Sequence, residues 1–520
     1  MSTAYRQEPE TQALFSHADA LYNSAKTKLS IGDLLHAPHD EVERYAMNMA
    51  RQILQALIQD HLCLRGFANA CGPVVGIDGE ERKHVRLDAG HRLVTTVGDV
   101  HASRPAHEGR HLSALHPVDA ELNWPKTVYS FEVQRQLART SAEVSFQRAV
   151  ELFFEYTGVR VGLRQVEQIS RSAACDMEEF YQQTDRGFQG VSSSDMLIGS
   201  VDQKGIVMLC KFLLPATKKK ADAAKPKLES RLTKGEKHDR KRMSTVAAVY
   251  TIAPHVRSAD DVISGLRHLQ VAGPRIARPR PESKRVWASV ELSLSDVVLQ
   301  LFDEFDRRDP QRSKNWIIVV DGDKKLERSI RKEAKSRGAK VTLVLDFIHA
   351  LEYLWRAGHA LCEEATPELE AWVLDRLKLL LEGKVSTVVA GMRRSATFRS
   401  MSAEQRKPIE KAANYLLKRK HMMLYPEMLA LGAPIASGVI EGTCRSLVND
   451  RMDLTGARWS VLGAEAVLRL RSILRSGDWD EYWSFHTARE YSRNHASLYA
   501  NGQPPAVEIP RRLGQLRRIR

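Results

Sequence analysis

The stretch "NWIIVV", Asn315 to Val320, runs straight into Asp321 and Gly322, and few other features restrict the fold of this chain as much. A continuous β-branched apolar run bounded by turn residues suits a strand covered on both faces, which calls for a layered α/β architecture. Gly322 permits a sharp exit, and a helix from Asp323 to Arg337 follows, acidic near its start and basic near its end. In open α/β sheets the carboxyl ends of strands are where ligands meet the fold. Asp321 is therefore placed as a ligand-facing group or as a helix N-cap, a position Asp also favours. From this stretch alone the two roles stand equal.

Its neighbours extend the pattern. "SSSDMLIGSVDQKGIVMLCKFLLP" reads as two strands joined at Gln203-Lys204-Gly205, and "MSTVAAVYTIAP" as a third. A Pro/Arg-rich connector, "GPRIARPRPESKR", leads to a helix from about Ser293 to Arg307, and "KVTLVLD" gives a strand ending at Asp346. Beyond it nearly everything to Met428 is helical in pattern. The order is three strands, helix, strand, helix, strand, then helices, with Asp202, Asp321 and Asp346 marking strand ends. Carboxylates gathered at one sheet edge repel unless a proton or a divalent cation neutralises them. Magnesium suits an oxygen-only set. Paired ions roughly 3.5–4 Å apart serve both oxygens of a phosphoryl transfer.

The amino-terminal part differs in texture. Residues 16–70 are helical in periodicity, and "HRLVTTVGDVHASRP" alternates around Gly98 like a hairpin. "VSFQRAVELFFEYTGVRVGLRQVEQISRSA" reads as an amphipathic helix, a break at Gly158 and a second helix from Gly162 or Leu163. That plan matches a helix-turn-helix offering Arg160, Arg164, Gln165 and Gln168 to DNA, although plain helical hairpins share it. The six cysteines are scattered without a C-x-x-C pair, which favours reduced thiols; a zinc site from Cys63, Cys71 and His84 or His91 is the spaced-out alternative.

Charge gives the partner. Residues 215–243 carry eleven Lys or Arg against four Asp or Glu, and the last ten residues add five arginines, together +12 of the net +14. Lys218, Lys219, Lys220, Arg240, Lys241 and Arg242 belong to the first run. Either run alone is as readily a solvated face; together they point to a polyanion, most simply nucleic acid through phosphate neutralisation. No apolar span is long enough for a bilayer and the opening lacks a secretion signal, so a cytoplasmic protein with no membrane partner is expected.

One further stretch, "PIASGVIEGTCRSLVNDRMDLTGARWS" (Pro434 to Ser460), resembles the carboxyl-terminal signature of bacterial insertion-sequence DDE transposases of the ISKra group, relatives of the Mutator-like transposases. "PKTVYSFEVQRQLA", "TGVRVGLRQVEQI", "GSVDQKG", "RPESKRVWASVE", "VVDGDKKL" and "LDFIHALEYLW" match in order, so the resemblance spans Leu122 to His486. It implies a mixed α/β fold: an RNase H-like catalytic core (192–350 and 435–490) interrupted by a helical insertion (351–434). A helical and β-hairpin region (1–120) and a helix-turn-helix region (121–191) would precede it, and a basic tail (491–520) would follow. It implies Asp202, Asp321 and Glu441 as the catalytic triad and as ligands of Mg2+ or Mn2+, with Asp323 a competing ligand. Asp346 and His349 match a shared Asp-x-x-His element, with His349 in local support or DNA contact.

The chemistry implied is hydrolysis of a phosphodiester at an element end, then in-line attack of the freed 3′-hydroxyl on target DNA by a homo-oligomer. Arg458 and Trp459 would join the helix-turn-helix in recognising terminal inverted repeats, a guanidinium suiting phosphate and an indole stacking on a base. Equally, Trp459 is a core anchor and Arg458 a partner for an acid. A nuclease of the same sheet type without strand transfer, or a transposon-derived DNA-binding regulator, are the rival readings. Three features depart from the family: the lysine-rich segment is long, Cys63 and Cys71 do not reproduce the zinc ribbon of relatives, and "VVDGDKKL" is unlike the usual sequence after the second aspartate, which is what makes Asp323 a competitor.

Overall fold

Helical periodicity near the amino terminus becomes α1 (Ser16–Ser30) and α2 (His39–Arg65). The alternating stretch around Gly98 becomes β1 (His84–Thr95) and β2 (Gly98–Gly109), joined by β3 (Leu112–Leu115) in an antiparallel sheet. The computed structural model describes residues 15–66, 68–183, 196–223, 228, 230, 240–266, 278–454 and 456–509. Its contacts divide into two units, one made of the residues up to Gln182 with those from Trp479 on, the other running from Gln183 to Asp478.

In the first unit α3 (Phe131–Glu143), α4 (Phe146–Thr157) and α5 (Leu163–Ala173) follow the sheet. Ser130 and Ser145 start α3 and α4 by accepting backbone N–H groups with their hydroxyls, and Gly158 ends α4 at φ +72°. Buried Ala138, Ala142, Ala149 and Ala173 keep the shared faces of these helices flat, and a hydroxyl pair, Ser141 with Ser170, ties α3 to α5 at 2.8 Å.

The second unit is built on β4 (Met196–Val207), α6 (Pro215–Asp222), β5 (Lys241–Thr251), β6 (Glu282–Ser289), α7 (Leu294–Arg308), β7 (Asn315–Val320), α8 (Lys324–Ser336), β8 (Val341–Leu345) and α9 (Phe347–Gly358). The strands lie in the order β6-β5-β4-β7-β8, antiparallel through β6, β5 and β4, parallel from β4 through β7 to β8. On one face Gly199 leaves room for Phe305 of α7, whose ring a Cβ there would strike. Helices α10 (Pro367–Leu381), α11 (Val385–Phe398) and α12 (Ala403–Arg419) then pack into the same apolar core. After them come α13 (Gly438–Cys444) and α14 (Val461–Ser476), and α15 (Trp479–Asn494) belongs to the first unit again.

Three sequence expectations change. The two strands expected to turn at Gln203-Lys204-Gly205 are one strand, because that polar stretch keeps full register with β5, Lys204 opposite Ser244 and Gly205 opposite Met243. Asp202 therefore lies inside β4 rather than at its end. The tail of the supposed connector, from Glu282, is β6; its charges are consumed by a buried network in which Glu304 receives Arg285, Arg307 and Arg308. Burial alone would raise the Glu304 carboxyl, yet these guanidiniums hold it down to about 2. Lastly, part of the lysine-rich segment is a helix, α6, which exposes Lys218, Lys219 and Lys220.

Candidate active site

Register brings the acids together. Ser200 of β4 pairs with Val319 of β7, and Val320 pairs with Leu345 of β8. Asp202 lies two residues past the last β4–β7 pair, and Asp321 and Asp346 directly follow β7 and β8, so the three acids stand at one edge of the parallel part of the sheet. Asp202 is thus an interior residue of β4, which runs on to Val207 while its parallel partner stops at Val320.

The three carboxylates are not equivalent. Asp323, not Asp321, caps α8, its Oδ1 accepting N–H from Lys325 and Leu326. Asp321 accepts only the Asp323 N–H, at 2.8 Å, among the hydrogen bonds of its side chain described. Burial pushes the Asp321 carboxyl up, the charge of Asp202 adds to this, and the Asp323 N–H and His349 oppose it. Asp346 is buried and caps α9 through the Ile348 N–H; its other oxygen receives the hydroxyl and N–H of Ser437. Its visible task is to fasten the start of α13 to the sheet.

That fastening fixes Glu441, which stands exposed on α13. One turn later the Cys444 thiol donates to Asp202 Oδ2 at 3.3 Å, and Lys204 Nζ meets the same oxygen at 3.2 Å. Glu441 acts on both Lys204 and Cys444 electrostatically. Beyond Cys444 the chain widens into a π-helical turn, Arg445–Asn449, whose carbonyls at Ser446 and Leu447 are met by the buried Arg471 guanidinium. Such turns recur at functional sites.

The helical segment props the turn after β7. Tyr415 of α12 donates its hydroxyl to the Asp321 carbonyl at 2.9 Å, and Arg419 Nε donates to the Gly322 carbonyl at 2.7 Å. Tyr353 stacks on Tyr415 at 3.7 Å. Gly322 has φ +84°, and a Cβ there would run into the Arg419 side chain and Leu345.

Two features of the three acids Asp202, Asp321 and Glu441 bear on a divalent cation. The set is oxygen-only, and the Lys204 ammonium already stands where positive charge is wanted. Asp202, Asp321 and Glu441 are nonetheless not drawn tightly together. Among the described residues, only Cys175, Asp176 and His486 bring ligand atoms within 4.8 Å of one another as a group of three. That trio escaped sequence reasoning because α15 supplies its histidine from far along the chain. There Asp176 accepts His486 Nδ1 at 2.7 Å and is also paired with Arg493, a cation already in place.

Of the remaining candidates, Arg164 and Gln168 are exposed on α5, and Gln165 is half-buried beside Gly162. Arg160 is exposed and lies over the Phe154 ring at 4.4 Å. Lys241 pairs with Asp453 at 3.2 Å, and Arg240 and Arg242 flank it at the start of β5, both half-buried. His349 is part-exposed on α9 with Glu352 at 3.8 Å. Arg458 is exposed, whereas Trp459 is buried, its indole N–H donated to the Met452 carbonyl and its backbone bridged to β4. Of the two roles weighed for Trp459, its burial matches that of a core anchor. Cys63 accepts from Gln59 at 3.2 Å, and His91 packs edge-on against Trp124. Lys204 and Cys444 went unnoticed in the sequence, though Asp-x-Lys on a strand does put both charges on one face.

No helix among the described residues is long and apolar enough to cross a membrane. No family model matches the chain, and no curated protein sequence does. Among solved structures it is similar to the Drosophila P element transposase strand transfer complex, at 8% identity and a TM-score of 0.31 over 68% of this chain and 94% of that one, too slight a likeness to bear on function.

Proposed function

We propose that this protein is a DNA transposase that cuts DNA at insertion-sequence ends and joins the freed 3′ ends to target DNA. The observation that carries the reading is the gathering of Asp202 in β4 with Asp321 and Asp346 directly after β7 and β8, and of Glu441 on a helix tied to Asp346 by Ser437 and to Asp202 by Cys444. The strand order β6-β5-β4-β7-β8, three antiparallel strands continued by two parallel ones, supports an RNase H-like core with residues 351–434 as its insertion. Exposed cations on α5 and α6 suit double-stranded DNA.

Asp202, Asp321 and Glu441 would hold Mg2+ or Mn2+. When bound, divalent ions activate the attacking oxygen and stabilise the leaving one. The chain's own part is to orient. Tyr415 and Arg419 fix the backbone at Asp321 and Gly322, Asp346 sets the start of α13, and Cys444 aims Asp202. Water attacks phosphorus and the 3′-oxygen leaves with a proton; that 3′-hydroxyl then attacks a target phosphodiester, releasing a second 3′-hydroxyl and leaving the bond count unchanged.

The test uses the full chain, magnesium and duplexes made from the DNA flanking its gene, scored for nicked and joined products. Asp202→Asn, Asp321→Asn and Glu441→Gln should each lose both products and still shift the duplex in a gel. Wild-type levels of nicking by any of the three would overturn the assignment, and nicking without joining by the wild type would leave a nuclease.

A further inference from the structure

Asp202 has neither oxygen to itself. Oδ1 accepts the Gln203 N–H at 2.6 Å, and Oδ2 is shared by the Lys204 ammonium at 3.2 Å and the Cys444 thiol at 3.3 Å. Lys204 sits two residues along the same strand, so both side chains leave one face of the sheet. Glu441 reaches the same ammonium through its field. A unit positive charge is therefore in contact with one of the three acids and under the influence of another.

We propose that Lys204 is the resident counter-ion of Asp202: it neutralises that carboxylate while the site is free of divalent ions, and it must leave Asp202 for one to bind. Lys204 thereby sets how much metal the site requires. This rests on the reading of Asp202, Asp321 and Glu441 as metal ligands. Lysine suits the task, being a point charge on a flexible four-carbon stem. Its side chain is 37% exposed, so a rotamer change suffices to release it, with no movement of β4. The competitor and the ligand share a strand, and the exchange is local.

Manganese is the probe, titrated into the full chain and followed by the loss of free-ion electron paramagnetic resonance signal and by the metal-dependent rise in Tm. Lys204→Met removes the charge and keeps the stem; Lys204→Arg keeps the charge. Lys204→Met should bind manganese roughly tenfold more tightly, the scale of one charge-assisted hydrogen bond, with Lys204→Arg close to wild type. In chelator Lys204→Met should melt below wild type and regain more on adding the ion. Lys204→Gln, which can still donate to Asp202, should show the same gain in affinity and covers failure of the methionine variant to fold.

Equal manganese affinity in wild type, Lys204→Met and Lys204→Gln, with the ion lost in Asp202→Asn, would overturn the counter-ion role and leave the ligand set standing. Unchanged affinity in both Asp202→Asn and Asp321→Asn would instead remove the ligand set on which the inference depends.

Discussion

Asp321 shows what burying an acid demands of one residue. Burial and the neighbouring Asp202 charge push its carboxyl up, so the folded state binds that proton more tightly than the unfolded chain does. The sign follows from linkage: where the native state binds more protons, stability falls as pH rises, here from below the unfolded value of 3.8 up through the raised folded one. Above that window the penalty is fully present. Asp321→Asn, which can keep the Asp323 N–H contact, should therefore be more stable than wild type at pH 7, with the advantage shrinking as pH drops through the window. Urea unfolding at pH 3.5, 5 and 7 measures it; an Asn variant less stable than wild type at pH 7 would contradict the strained-acid account. The acid was legible in the sequence because an apolar run stopped at it. Lys204 was not, since a polar pair inside an expected turn gave no hint that the strand ran through it.

At the scale of elements, legibility tracked how cleanly burial sorted the side chains. β7 and β8 are buried along most of their length and read directly as apolar runs, and α8 showed its limits through its cap and terminal charges. β6 was lost because Glu282, Lys284 and Arg285 open it, and only the fold reveals that Glu304 neutralises Arg285. Helices α4 and α5 were readable from the Gly158 break, but whether α5 enters a groove depends on which face meets DNA. Arg164 and Gln168 are exposed on it. Replacing either by Ala should cost about 1–3 kcal/mol of binding to a cognate end and less to a scrambled duplex of equal length, a difference that fluorescence anisotropy resolves. Equal losses on both duplexes would reduce α5 to a backbone contact, and no loss on either would leave it a packing helix.

For the whole molecule, the excess of positive charge makes a claim that no single contact makes. The sequence concentrates +12 of its +14 in two segments, and in the described part of the first, Lys218, Lys219 and Lys220 stand exposed on one short helix. Eight residues carrying three adjacent lysines and no buried side chain contribute little to a core. Where such a helix meets duplex DNA, it neutralises phosphates and releases their counter-ions. Binding should then weaken with salt, log K falling linearly with log salt at a slope of about −0.9 per phosphate neutralised on duplex DNA. Replacing all three lysines by Gln should flatten that slope by roughly 1–3 and weaken binding to cognate and scrambled duplexes alike, because phosphate contacts carry no sequence information. Folding should be unaffected, since the three side chains are solvated. Anisotropy titrations at several salt concentrations decide the matter: an unchanged slope with unchanged affinity would mean that the lysines of α6 do not meet DNA, and a loss confined to the cognate duplex would mean that they read bases instead of phosphates.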